Sequence, residues 1–136
     1  MADDNDAVRR GIRRFLNEAQ DITVVGEARD GLEALALVEE LQPDVLLLDV
    51  EMPQLTGIEV ARRLAREQKK PYILVLSAYD DQQYIVEMLA NGASGYLLKD
   101  DAPTRIVEAV HAVALGETGW TSPRRIQKLH GRQDKL

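Results

Sequence analysis

The chain contains no cysteine, which excludes disulfide staples and thiolate metal sites and fits a reducing, cytoplasmic setting. Its longest apolar runs are about five residues, against the roughly 18 that a membrane-spanning helix needs. No apolar segment follows a basic patch at the amino end, so the pattern of a secretion signal is lacking as well. Hydrophobic residues at 45% and charged residues at 29% lie near the averages of soluble globular domains, which excludes compositional disorder and fibrous repeats. At 136 residues the chain is long enough to bury one ordinary core.

What is present is unevenly charged. The formal net charge is −6, yet residues 121–136, "TSPRRIQKLHGRQDKL", hold five basic residues against one Asp. The body is acidic and the tail basic. Such a tail can meet nucleic acid, but it has no aromatic residue and only five positive charges, so a solvated helix or linker is the expected reading.

Apolar periodicity alternates along the chain. "DAVRRGIRRFLNEA" places Val8, Ile12, Phe15, Leu16 and Ala19 on one helical face, with its arginines mostly opposite and Asp6 as the expected cap. "DITVVGEA" is short and β-branched, the pattern of a strand. "GLEALALVEEL" repeats Leu32, Leu35, Val38 and Leu41 at helical spacing, and Pro43 ends it. "DVLLLD" is apolar throughout Val45–Leu48, as a strand covered on both faces would be.

Then come a helix in "TGIEVARRLAREQ", a strand in "PYILVLSA", a helix in "DDQQYIVEMLANG" closing at Asn91 and Gly92, a strand in "ASGYLLK", and a helix in "PTRIVEAVHAVALG". Thr121 or Ser122 can cap a short sixth helix with Pro123 in its first turn. Strands alternating with helices imply an α/β fold with a doubly wound parallel sheet. Residues 1–118 are expected to form this domain and 119–136 a linker with a short basic helix.

In such sheets chemistry gathers at the carboxyl ends of the strands. Those ends carry Asp49, Ser77 and Lys99, and an acidic pair, Asp3 and Asp4, precedes the first helix. A single Asp or Ser there would be an ordinary helix cap. Together the set suits phosphoryl transfer to a carboxylate. Asp49 would be the nucleophile, and Mg²⁺ shared by Asp3, Asp4 and Asp49 would offset the repulsion between two anions. Lys99 and Ser77 would each meet a phosphoryl oxygen. His111 and His130 have no partner at metal-ligand spacing and are read as structural.

"DD" at 3 and 4, "LLLDVEMPQLTG" around Asp49, "LSA" at 76–78 and "GYLLKDD" around Lys99 stand in an order and at intervals that resemble a response-regulator receiver domain. "GYLLKDDAP" and "ALGETGWTSPRRIQKL" are similar to the branch that precedes LuxR-type helix-turn-helix domains. The resemblance implies a two-component signalling domain, not an enzyme in the ordinary sense, in which Asp49 accepts phosphate from a histidine kinase. It implies that Asp4 ligates Mg²⁺ directly, Asp3 mostly through water, and Glu51 through its backbone carbonyl. It also implies that Ser77 moves toward the phosphoryl group and that Tyr96 turns inward as a switch. Glu51 and Tyr79 would border the attacking water, or form only a solvated loop pair. The output face would comprise the helix of residues 80–92, the strand after it and the last receiver helix.

A haloacid-dehalogenase-type phosphatase uses similar parts, but its nucleophile is followed two positions on by a second Asp, where this chain has Glu51. The alternative function is a dimerising interaction module with an impaired metal site.

That alternative arises from the amino end, where receivers have an apolar strand and this sequence has only Met1 and Ala2. The slot belongs to a central strand. About four buried side chains at roughly 1.5–3 kcal/mol each are at stake, comparable to a whole domain's stability of roughly 5–15 kcal/mol. The expectations are an upstream start, direct pairing of the two neighbouring strands, filling by a partner in a homodimer, or an irregular substitute from residues 2–8 that draws the acidic pair off its site. The branch also continues into a DNA-binding domain, so contact with DNA is expected only through an effector region outside these residues.

Overall fold

The computed structural model describes residues 1–78, 82–118 and 120–121. Tyr79, the expected helix after Ser122 and His130 lie outside the described residues. The elements in chain order are α1 (Asp6–Asn17), α2 (Gly31–Leu41), β1 (Val45–Asp49), α3 (Gly57–Leu64), β2 (Tyr72–Ser77), α4 (Gln82–Ala90), β3 (Gly95–Leu98), a 3₁₀ turn (Lys99–Asp101), α5 (Ala102–Ala114) and a two-residue β4 (Trp120–Thr121). The strands form one parallel sheet in the order β1-β2-β3-β4.

The interiors of β1, β2 and β3 carry no charged residue because both faces are covered. Leu46, Leu48, Ile73, Val75, Tyr96 and Leu98 face one core layer, which α2, α3 and α4 close. Leu47, Leu74, Leu76 and Leu97 face the other, closed by Ile12 and Leu16 of α1 and by Ile106, Ala109 and Val113 of α5. The period of two along each strand thus divides its side chains between the layers.

Helix boundaries follow their caps. Asn5, rather than Asp6, caps α1 by accepting the N–H of Val8 at 3.0 Å. Asp30 and Thr56 cap α2 and α3 in the same way. Gln42, with φ of 46°, ends α2 ahead of Pro43, and Gly92 at φ 96° follows α4. In α2 the buried face is Gly31, Ala34 and Val38, while Leu32 and Leu41 are exposed. Gly31 packs so closely on the 50–56 loop that a Cβ there would stand 2.2 Å from the Leu55 carbonyl oxygen, which turns α2 by its smallest residue and not by its leucines.

The amino end departs from expectation. Met1–Asp3 lie inside the sheet, with Ala2 bridged in parallel to Ala28 on one side and Leu48 on the other. Ala2 donates to the Leu47 carbonyl at 2.8 Å and accepts from the Asp49 N–H at 3.0 Å, and Asp3 donates to the Ala28 carbonyl at 3.1 Å. The neighbouring strands therefore do not close up, and the acidic pair is not drawn off its site. Residues 21–28, expected as a strand, form no ladder except at Ala28. A strand is defined by its partner, and Met1–Asp3 reach only its last residues.

Candidate functional site

The carboxyl edge of the sheet gathers Asp3, Asp49, Ser77 and Lys99. β1 runs apolar and buried up to Asp49, which is only 5% exposed, and β2 does the same up to Ser77 at 1%. The register sets Asp49 beside Leu76 and Ser77 beside Leu98. The polar groups thus leave the sheet at one level. Lys99 follows β3 directly, in the 3₁₀ turn before α5.

Behind Asp49, Gly57 starts α3 so close to β1 that a Cβ on it would stand 2.1 Å from the Asp49 carbonyl oxygen. Its N–H donates to the Val50 carbonyl at 2.8 Å, fixing the loop that leaves the site. Glu51 sits in that loop, exposed, and its N–H reaches Asp49 Oδ1 at 3.4 Å.

Lys99 joins the carboxylates. Its Nζ is 2.8 Å from Asp3 Oδ2, an ion pair without aligned hydrogen-bond geometry, and donates to Asp49 Oδ2 at 3.2 Å. Asp3 is fully buried and Asp4 exposed. Burial pushes the Asp49 carboxyl up to about 6; the charge of Asp3 adds to the rise and Lys99 opposes it. Burial alone would pull the Lys99 ammonium down, but the close contact with the Asp3 carboxylate and the charge of Asp49 outweigh it, so the net shift is upward. The site thus holds more negative charge than its one lysine balances.

Asp3, Asp4 and Asp49 each offer a carboxylate oxygen, all within 4.8 Å of one another. Hard oxygen donors on that scale, one exposed and two buried, suit a small divalent cation that keeps part of its water, and the excess negative charge favours it. The donor set therefore fits Mg²⁺.

Periodicity assigned Arg9 to the solvent side of α1, yet it is 6% exposed. Its guanidinium donates to the Asp3 carbonyl at 2.5 Å and also meets Asp6 and Glu27. Arg13 pairs with the same Glu27 at 2.6 Å. These contacts anchor the acidic segment where only two residues of strand precede it. A long side chain hides this signal, because it reaches beyond the face on which its Cα lies.

Tyr96 is fully buried on β3, beside Val75 and in one cluster with Ile85 and Met88 of α4. It is neither half-buried nor outward-facing. His111 on α5 pairs with Asp21 at 2.9 Å on the surface, a structural tie between α5 and the turn after α1. Among the described residues no helix is long and apolar enough to cross a membrane.

Residues 1–111 match the family described as the response regulator receiver domain. The chain is 42% identical over 117 residues to the uncharacterized transcriptional regulatory protein YxjL of Bacillus subtilis, a match covering 86% of this chain and 54% of that protein. It is 39% identical over 117 residues to the nitrate/nitrite response regulator protein NarL of Escherichia coli, covering 86% and 54%. The chain spans about half the length of the curated relatives it matches. Among solved structures, the signal receiver domain of the putative response regulator NarL from Mycobacterium tuberculosis superposes with a TM-score of 0.82 at 40% identity, covering 85% of this chain and 94% of that one. A LuxR-family two-component response regulator from Aurantimonas superposes with a TM-score of 0.90 at 30% identity, covering 97% and 94%.

Proposed function

The chain belongs to the response regulator receiver domain family, and from that premise we propose that it works as a phosphorylation switch whose acceptor is Asp49. Domains of this family signal and do not act as enzymes in the ordinary sense. The observation that carries the reading is the Lys99 ammonium lying within 3.2 Å of both buried carboxylates, Asp3 and Asp49, at the strand ends.

The donor is a phosphohistidine on a histidine kinase. The bond between phosphorus and the imidazole nitrogen breaks, the new bond forms from Asp49 Oδ to phosphorus, and the nitrogen's electron pair stays with the kinase. Lys99 Nζ releases Asp49 to meet a phosphoryl oxygen, keeping its contact with Asp3. Ser77 offers a hydroxyl to another oxygen. Asp4, Asp3, Asp49 and the Glu51 carbonyl would hold Mg²⁺, whose chemistry there is neutralisation of the two anions. Tyr96 and Ser77 form the packing switch, and α4, β3 and α5 the output face, with Val86 of α4 at 60% exposure as the apolar contact of a homodimer.

Residues 1–118 form the switch and 119–136 the linker toward a LuxR-type effector, so DNA is reached only through that effector, in the cytoplasm. The alternative, an interaction module with an impaired metal site, loses ground because Arg9 and the bonds to Ala28 and Leu47 keep the acidic pair beside Asp49. Incubation with acetyl phosphate and Mg²⁺ followed by intact-mass measurement tests the choice. One added phosphoryl group, lost in Asp49→Asn, is the expected result. No addition at saturating Mg²⁺ would leave the interaction module.

A further inference from the structure

The two residues of β4 belong to the segment expected as a linker, yet they extend the sheet. Trp120 and Thr121 pair in parallel with Gly95 and Tyr96, on the edge of β3 away from β2. The end of α5 leads the chain there. Gly116, at φ 85°, donates to the Val113 carbonyl at 2.9 Å, and the Glu117 N–H donates to the Ala112 carbonyl at 3.2 Å. This pair of bonds around a left-handed glycine stops a helix and turns its chain back. A Cβ on Gly116 would stand 3.2 Å from the Tyr72 hydroxyl oxygen, so the turn is crowded as well as left-handed. Only residues 117–119 separate it from β4, which lies beside α5 as well as β3.

Thr121 stands in register with Tyr96, and Val75 of β2 flanks Tyr96 on the other side. The Tyr96 ring is fully buried in the core layer that Ile85 and Met88 of α4 help to close. With β2 on one side and α4 over the face, a ring leaving this layer passes over the outer edge of β3. The backbone of Thr121 already stands at that edge. An outward ring and a closed β3–β4 ladder therefore compete for one place. The ladder is short enough to yield. Its two paired residues compare with about 5–6 in an ordinary strand, and Pro123 offers no N–H for a continuation. A modest bias therefore shifts it between closed and open.

We propose that β4 is a latch that closes on β3 when Tyr96 is inward and opens when the ring turns outward, so that phosphorylation of Asp49 tightens the sheet's hold on the linker. This rests on the reading of Asp49 as acceptor and Tyr96 as switch. It adds a readout within the chain, because the state of the site then fixes where the connection after Thr121 begins. The closed latch also covers the β3 edge of the output face with the chain's own backbone. A homodimer through that face then meets α4 and its exposed Val86, not the strand edge.

Amide hydrogen exchange in the 136-residue chain, before and after acetyl phosphate with Mg²⁺, tests the latch, with intact mass measured on the same samples. Successive residues of a strand face opposite ways, so one of the Trp120 and Thr121 amides faces β3. Its protection should rise about fivefold or more in the labelled chain, the lower end of ordinary coupling between sites. Coupling is reciprocal, so a broken latch weakens the phosphoryl state by the same factor. Trp120→Pro combined with Thr121→Pro removes both donors at the sheet edge and leaves Asp3, Asp4, Asp49, Ser77 and Lys99 in place. Titrated with trifluoroberyllate, a reversible mimic of the phosphoryl group, in the presence of Mg²⁺, this variant should bind about fivefold or more weakly than the native chain. A mass gain with unchanged protection, or equal trifluoroberyllate affinity in variant and native chain, would overturn the latch and leave the phosphorylation switch standing. No mass gain and no trifluoroberyllate binding in the native chain would overturn both.

Discussion

Replacing Asp49 by Asn should stabilise the metal-free protein at neutral pH and leave it unchanged in mild acid. The Asp49 carboxyl is raised from 3.8 to about 6, first by burial and then by Asp3. At about 1.4 kcal/mol per pH unit, that gap corresponds to about 3 kcal/mol of strain in the ionised native state. Because the folded value lies above the unfolded one, the native state holds this proton more tightly. Below pH 3.8 both states are protonated and there is no penalty. Between 3.8 and about 6 the unfolded state ionises first, stability falls, and above about 6 the full penalty is present.

Asn removes the charge but keeps the shape. Asp49 is only 5% exposed, so solvent screening takes away little of the effect. Urea unfolding in chelator, at pH values from 4 to 8, should show Asp49→Asn more stable by about 2–3 kcal/mol above pH 7 and equal to the native chain near pH 4. Mg²⁺ should stabilise the native chain more, closing the gap with about 2.7 kcal/mol gained at a hundredfold excess over Kd and reversing the order with about 4.1 kcal/mol at a thousandfold excess. A difference that does not change with pH, or a variant less stable at pH 7 in chelator, would refute the account of strained, metal-seeking carboxylates.

Arg9→Ala should lower stability by about 1–3 kcal/mol, the range for losing charged hydrogen bonds to a buried group, and should weaken Mg²⁺ binding several-fold in calorimetric titration; unchanged Mg²⁺ affinity would show that Arg9 does not hold the acidic pair. Tyr96→Ala removes a fully buried ring from the α4 side of the core and should cost about 3–5 kcal/mol in urea unfolding, whereas a cost below about 1 kcal/mol would place the ring outside that core. Gly57→Ala drives a Cβ to 2.1 Å from the Asp49 carbonyl oxygen, a backbone contact that cannot yield like a flexible side chain. It should lower the urea midpoint and abolish acetyl phosphate labelling; native labelling would show that α3 can shift without disturbing Asp49.

The sequence by itself determined the α/β alternation, the two covered faces of β1–β3 and the polar residues at their ends. The physical reason is local. A strand buried on both faces must be apolar along its length, so the first polar residue after each run, Asp49, Ser77 or Lys99, marks where it leaves the core. The start of α1 was legible to within one residue, its cap falling on Asn5 and not on Asp6, whereas the Asp30 and Thr56 caps were not singled out.

Tertiary structure alone decided how the amino end is held. Met1–Asp3 have no periodicity to read, and the place of Ala2 between Ala28 and Leu48 comes from bridges to partners 26 and 46 residues away. Arg9 belongs to the polar face by spacing and to the core by reach. Residues 21–28 have strand-like side chains, yet only a neighbour makes a strand, and Met1–Asp3 reach only their last residues. The raised Asp49 carboxyl was also invisible in one dimension, because it depends on Asp3, Lys99 and burial meeting at one point. Local pattern records what each residue prefers to face, whereas the fold decides which distant charges and edges it meets there.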